Sequence, residues 1–499
     1  MTAVKLSPLL REKLKVDPPQ LIRCVVEVSP QRVDYVLEQL QEMGIRVDRR
    51  LISQPVPEGN FYIPAVIPAN LIDEVQRIPG VVSISKSMIR AAGGAVTAPI
   101  PNPFARIQDE LLGEIRIPSV EVPPGALLMA PLDPVKALGA IPGILTGWNP
   151  LTNVRIYPTS VTAKILKDAP TRDGAGVTVA VLDTGSPFLT PQFWAKQATL
   201  EQYTVIPEPP DDMHGHGSWC HNCVCGGTAN SPYGPVVGMA PAVQKSIHVK
   251  CLNTFPGSGT TEGILKAIEI AVKRGAQVIS MSLGGPAQGN GIDEDPEAKV
   301  VNELAEEGVI FVIAAGNSGP NPYTVGSPGH AIKAITVGSA SITDNFLPAW
   351  WSSRGPGSDW DKGHAEDFRA LVARYGDEII KPDCTALGGG RASQDAQPDE
   401  VIWSGEKGWF EGFYDGIRDM TGGMHGTSQA TPHVAGLVAC LLSDGVIDNV
   451  DDIKRALKET AEDYIIPDPV NELDKEIIDT YGKSIATGWG LFKLSRFKR

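Results

Sequence analysis

From about residue 155 onward, short apolar runs alternate with stretches of helical periodicity. VTVAVL (177–182), SIHVK (246–250), QVISMSL (277–283), VIFVIAA (309–315) and IKAITV (332–337) have strand length and are rich in β-branched residues. A strand without polar alternation is covered on both faces, as in a parallel sheet. Apolar residues at helical spacing occur at 262–273, 296–307 and 428–443. This alternation predicts an α/β fold, a doubly wound and mostly parallel sheet.

The first 90 residues follow a different plan. LIRCVVEV (21–28) reads as a strand, and Val33, Val36, Leu37, Leu40 and Met43 then recur at helical spacing until Gly44. Strands are expected near 45–52 and at FYIPAVI (61–67). A second helix opens at Pro68 and ends at Gly80, and VVSIS (81–85) is a last strand. The order β-α-β-β-α-β is the ferredoxin-like α+β plan. We therefore expect a small domain over 1–90. Residues 91–154 carry APIPNPF and VEVPPGALLMAPLDP and read as a Pro/Gly-rich linker or insertion. The α/β domain would occupy 155–499.

Charge limits the partners. A formal net charge of −14 argues against nucleic acid and against an anionic membrane surface, which select basic patches. No stretch of about 18 apolar residues appears, so no membrane span is expected. MTAVKLSPLLREKLKVDPPQ has no apolar core of signal-peptide length. The default expectation is cytoplasmic, with export by another route the alternative. The seven cysteines are odd in number. Cys220, Cys223 and Cys225 cluster, whereas Cys24, Cys251, Cys384 and Cys440 are scattered. Mostly reduced, buried thiols are expected.

Four segments concentrate chemistry. VAVLDTG (179–185) ends a strand in Asp183, where functional groups of open parallel sheets gather; the residue could equally cap a turn. In GHGSWCHNCVCGG (215–227), His216 lies between glycines, with His214 a competitor two residues away. MHGTSQATPHVAG (424–436) sets Ser428 at the start of an apolar helix. There it is either an N-cap or a nucleophile beside N–H groups that stabilise an oxyanion. Pro432 is expected in that helix's first turn. AAGNSG (314–319) offers the Asn317 amide as an oxyanion donor or as turn chemistry. A serine hydroxyl needs an imidazole base, and the imidazole needs a carboxylate to fix its tautomer.

Taken together and in this order, VAVLDTG, GHGSWCH and GTSQATPHVAG resemble the signatures of the subtilisin-like serine proteases, or subtilases. VISMSLGG (278–285), GSG (257–259), WSSRGP (351–356), IKPD (380–383) and TGWGL (487–491) extend the resemblance over about 155–495. It implies a subtilisin-like fold and a serine endopeptidase acting through an acyl-enzyme. Asp183, His216 and Ser428 would be the triad, and Asn317 with the Ser428 N–H the oxyanion hole. Polypeptide substrates would add as a strand along Gly257, Ser258 and Gly259. Ser282, Leu283 and Gly284 would line the primary side-chain pocket, with Gly326 at its floor leaving room for a large apolar residue. The first domain would be a propeptide, the protein's own intramolecular inhibitor, with autoprocessing in or near the Pro/Gly-rich stretch after residue 86; the alternative is a permanent accessory or docking domain.

The chain also departs from the family. Trp219 stands where a second His is usual, and CTALGGG (384–390) replaces the usual Ala-Pro-Gly stretch. Cys220, His221, Cys223 and Cys225 raise a zinc reading, but on a helix they spread around the axis. Metal ligands are therefore assigned to none. The proposed chemistry requires no cofactor. Structural calcium is possible, but 227–238 does not cleanly match the family's calcium loop. Segments 357–380 and 391–420 look inserted; the second holds Trp403, Trp409, Phe410, Phe413 and Tyr414, read as a satellite core, with a rim for extended substrate the alternative. The alternative functions are a catalytically silent binding module on this fold and a metal-dependent hydrolase.

Overall fold

The computed structural model describes residues 5–6, 21–92, 148–149, 154–186, 199–231, 233–286, 294–355, 372–405, 421–464 and 469–497. Most of 91–154, part of each inserted segment, and Trp409, Phe410, Phe413 and Tyr414 lie outside them. Seven strands form one sheet in the spatial order Thr199–Thr204, Lys245–Lys250, Thr178–Asp183, Val278–Met281, Ile310–Ala314, Ile335–Ala340, Cys384–Leu387. Every neighbouring pair is parallel. The α/β reading therefore holds. Thr199–Thr204 and Cys384–Leu387 are additional edge strands, and the strand expected at 332–337 is Ile335–Ala340.

Period-two alternation divides the core. Val179 and Val181 face one layer with Trp219, Cys220, Val434 and Val438. Ala180 and Leu182 face the other with Ile264, Ile268, Val301 and Leu304. Helices His216–Cys225 and Thr427–Ser443 cover the first face; Thr261–Lys273 and Pro296–Glu306 cover the second. No described helix is long and apolar enough to cross a membrane.

The N-terminal strands lie in the order Lys5–Leu6, Val81–Lys86, Leu21–Val28, Phe61–Pro68, Arg46–Val47. Helices Val33–Glu42 and Ile72–Gln76 accompany them. Apart from Lys5–Leu6 at its edge, this is the ferredoxin-like order; its helices cover a core of their own, whereas Val25, Val56 and Tyr62 pack into the second layer of the large sheet. A further sheet of Thr421–Met424, Asp399–Gly405, Val154–Pro158 and Trp148–Asn149 carries Trp403. That indole is wholly buried against Val154, Ile156, Val236 and Val401, with Tyr233 at 4.5 Å between ring centroids.

One expectation fails. Pro432 is not in the first turn of its helix but inside Thr427–Ser443, at the sixth position. The helix begins at Thr427, so the proline falls in the second turn, where its missing N–H removes a hydrogen bond.

Candidate active site

Three parallel strands end at one place. Asp183 closes its strand, Ser282 follows Val278–Met281, and Asn317 follows Ile310–Ala314. Helices starting at His216 and Thr427 begin above them. The structure thus brings Asp183, His216, Ser428, Asn317 and Ser282 together.

His216 Nδ1 lies 2.7 Å from Asp183 Oδ1, and both side chains are wholly buried. The same carboxylate oxygen accepts from the Thr184 amide at 2.7 Å. Burial alone would raise the Asp183 carboxyl; His216, the Thr184 amide and the more distant His248 hold it below the ordinary carboxylate value. A carboxylate on Nδ1 keeps the proton there and leaves Nε2 as the basic nitrogen. His214 is not in that position. Its ring lies edge-on to His216 at 6.2 Å, and its Nδ1 accepts from the His216 amide at 3.4 Å.

Asp212, which the sequence reading passed over, fixes the start of the His216 helix. This buried carboxylate accepts from the amides of His214, Gly215 and Ser218 at 2.7–2.9 Å and from Thr184 Oγ1 at 3.0 Å. Thr184 Oγ1 in turn accepts from the Gly217 amide at 2.8 Å. Gly217 allows this approach, because a Cβ there would lie 2.2 Å from the Gly185 carbonyl. The signal was Asp-Met-His-Gly-His (212–216), an acidic residue just ahead of exposed helix N–H groups.

Ser428 is wholly buried, and its hydroxyl donates to the Ser282 carbonyl at 3.1 Å. The Ser428 carbonyl is unusual: its helical donor would be the N–H of residue 432, which is proline. Ser282 Oγ donates to it at 2.9 Å and Cys220 Sγ at 3.6 Å. Asn317 Oδ1 accepts from the Thr427 amide at 2.9 Å and from Thr427 Oγ1 at 3.0 Å. That sets the amide's oxygen toward the helix start.

The clustered cysteines do not share one site. Cys220 Sγ lies 3.9 Å from His216 Nδ1, under the imidazole, whereas Cys225 Sγ lies 3.6 Å from His221 Nε2. Burial pushes the Cys225 thiol up to about 12 and raises Cys220 and Cys223 well above the ordinary value. The Cys220 and Cys225 thiols thus pack against different imidazoles and do not converge on one point. Among the described residues, the metal-ligating types with atoms within 4.8 Å of one another are Asp183, His216 and Cys220. That group is the His–Asp pair with a packed thiol. Trp219 is buried and donates Nε1–H to the Gly422 carbonyl at 3.1 Å, tying this helix to the strand before Ser428.

Beside these groups, an extended segment of the N-terminal region fills a cleft. Ile89–Ala92 pairs antiparallel with Ser258–Thr260 on one edge and with Leu283–Gly284 on the other. The Ala92 amide donates to the Gly257 carbonyl at 2.9 Å. Gly257, Ser258, Gly259, Leu283 and Gly284 thus all contact this strand through main chain. Gly326 abuts Gly285, whose carbonyl would be 2.2 Å from a Cβ at 326. Close packing of two chain segments already requires a glycine there.

Further ties join the small domain to the large one. Buried Glu262 accepts from Arg23 Nε at 2.5 Å and from the Ser87 hydroxyl, and Lys299 Nζ reaches Glu27 at 2.7 Å.

Comparison with known proteins gives a consistent picture. Residues 174–484 match the model of the Subtilase family. Serine protease AprX of Bacillus subtilis is 33% identical over 322 residues, 61% of this chain and 66% of AprX. Pyrolysin of Pyrococcus furiosus is 37% identical over 257 residues, 45% of this chain and 16% of pyrolysin. Thermitase of Thermoactinomyces vulgaris is 27% identical over 290 residues, 58% of this chain and 82% of thermitase. This chain therefore spans less than two thirds of AprX and a small part of pyrolysin. Fervidolysin from Fervidobacterium pennivorans, described as a keratinolytic enzyme related to subtilisin, shares the fold. Its TM-score is 0.57 at 17% identity, covering 99% of this chain and 62% of fervidolysin.

Proposed function

This chain belongs to the subtilase family, and from that premise we propose that it is a serine endopeptidase held as a zymogen by its own first domain. The observation that carries the reading is the strand Ile89–Ala92. A polypeptide already lies in extended form between two cleft edges, next to a His–Asp pair and a serine at a helix start. A peptide substrate would add to the same edges through its main chain.

The steps follow from the chain's own groups. The Ser428 hydroxyl, here donating to Ser282, rotates toward His216 Nε2 and gives up its proton as Oγ attacks the scissile carbonyl. Asp183 keeps the imidazole in the required tautomer and stabilises the imidazolium. The Ser428 amide and the Asn317 side chain stabilise the oxyanion. His216 then protonates the leaving amine, and water attacks the acyl-enzyme by the reverse route.

The inhibitor reading is supported by the cleft strand together with the Arg23, Ser87 and Glu27 ties. While those hold, substrate has no edge to pair with. The test compares wild type with Ser428→Ala by intact mass and casein hydrolysis. Wild type is expected to lose an N-terminal fragment of domain size and to digest casein, while Ser428→Ala stays full length and inert. Equal activity of the two proteins would remove Ser428 as nucleophile.

A further inference from the structure

We propose that the cleft selects substrates with arginine as the fourth residue before the cleaved bond, through a buried acidic pocket built around Glu297. The inference rests on the endopeptidase reading and specifies which polypeptides that site takes.

Arg90, the second residue of the cleft strand, is wholly buried. Its guanidinium meets a partner along each face of the fork. Nε donates to Glu297 Oε2 at 2.8 Å and Oε1 at 3.1 Å. One terminal nitrogen donates to the Pro286 carbonyl and the other to Ser327 Oγ, both at 2.9 Å. Asp295 Oδ2 lies 3.8 Å away, and His330 Nε2 sits 3.5 Å from that carboxylate oxygen. Glu297 and Asp295 are themselves wholly buried.

Glu297, Asp295, Pro286, Ser327 and His330 all belong to the large domain. When the cleft strand leaves, Glu297 loses the guanidinium that Nε places on it, and Asp295 loses a cation 3.8 Å away. The vacated pocket carries negative charge and so favours a ligand that returns a cation. A planar, multiply donating guanidinium fits the acceptors present, whereas an ammonium cannot reach all of them from one point.

The register sets the position. Gly259 faces Arg90, Gly284 faces Ala91 and Leu283 faces Ala92. Ser282, next along that edge, carries the carbonyl that holds the Ser428 hydroxyl. A substrate strand in the same register presents the residue opposite Ser282 to the nucleophile. The side chain in the Glu297 pocket is then three residues upstream of it, the fourth before the cut.

The test begins with the processed wild-type enzyme and a denatured protein mixture whose cut sites are mapped by mass spectrometry. Arginine should be enriched at the fourth position before the cut. One cut peptide is then remade with Arg, Lys or Ala there. Because the pair is desolvated and all three guanidinium nitrogens have acceptors, kcat/KM should favour Arg over Ala by about 100-fold, with Lys between. Glu297→Gln should bring that ratio to within about tenfold, and Ser327→Ala, a smaller perturbation of the same pocket, should lower it by about tenfold. Cutting with no arginine enrichment, and equal kcat/KM for the Arg and Ala peptides, overturns the subsite and leaves the endopeptidase standing. No cutting of any protein overturns the endopeptidase reading and the subsite with it.

Discussion

The Ser428 carbonyl gives the sharpest test of how this site is held together. Pro432 cannot donate to it, and its two donors are Ser282 Oγ at 2.9 Å and Cys220 Sγ at 3.6 Å. All three residues are wholly buried, so water does not take a donor's place. Leaving a buried acceptor unpaired costs about 1–3 kcal/mol. With the weak thiol donor still present, Ser282→Ala should fall in the lower half of that range, about 1–2 kcal/mol. The decisive perturbation is Pro432→Ala, which supplies the missing N–H. In the otherwise intact chain the carbonyl is already paired, so the gain is relief of the proline's own helix penalty. In the Ser282→Ala background the new N–H also satisfies the orphaned carbonyl, so the gain should be larger by about 1 kcal/mol. For a domain spanning 155–499 that extra gain is about 1.4 °C in melting temperature, at about 2.1 cal/mol/K of unfolding entropy per residue. The assay is thermal unfolding of four variants, each also carrying Ser428→Ala so that self-digestion does not intervene; the carbonyl in question is main chain and remains. Identical shifts from Pro432→Ala in both backgrounds would refute the claim that Ser282 replaces the proline's missing donor.

Asn317→Ala should lower kcat by about 10²–10³ with little change in KM, a magnitude carried over from another subtilase and checked by steady-state kinetics. Burial pushes His221 and His433 down to about 4 and His248 to about 3, from an ordinary 6.5. Between those values the unfolded chain binds protons that the folded one does not, so stability is intact above about 6.5 and falls toward pH 4. The melting temperature of Ser428→Ala against pH should show that loss, and His221→Leu should make it shallower. All seven cysteines are free and buried, so a disulfide thiol reagent should react with none in the native protein and with seven after denaturation.

The alternation of apolar runs with helical stretches made the large sheet legible, because strands covered on both faces leave no polar alternation. Thr199–Thr204 escaped notice for the complementary reason: as an edge strand with half-exposed residues, TLEQYT lacks that mark. In IKAITV, the first three residues precede the strand, and the Lys333 amide turns to Asn302 instead of a ladder partner. At the site, Asp183, His216, Ser428 and Asn317 stand in short motifs of distinctive composition. The pairs Arg23–Glu262 and Arg90–Glu297 carry no such mark, since their members are 239 and 207 residues apart. An arginine followed by two alanines states nothing about a carboxylate two hundred positions later; only the antiparallel pairing of the cleft brings them together. The position of Pro432 was hidden for a related reason, since proline at a helix start is the rule and its tolerance here depends on Ser282, which follows the strand Val278–Met281.

A strand held on both edges also defines what cannot be cut. A polypeptide entering this cleft must offer hydrogen-bonding groups on its left and right at once, over about four residues, and must not spend them on neighbours of its own. Paired sheet strands and helices fail that condition, so on the proposed endopeptidase reading a well-folded globule would escape cutting until part of it opens. The cleft would then act as a detector of local unfolding, and the cutting rate of a given target should track how often that target's segment detaches from its own fold.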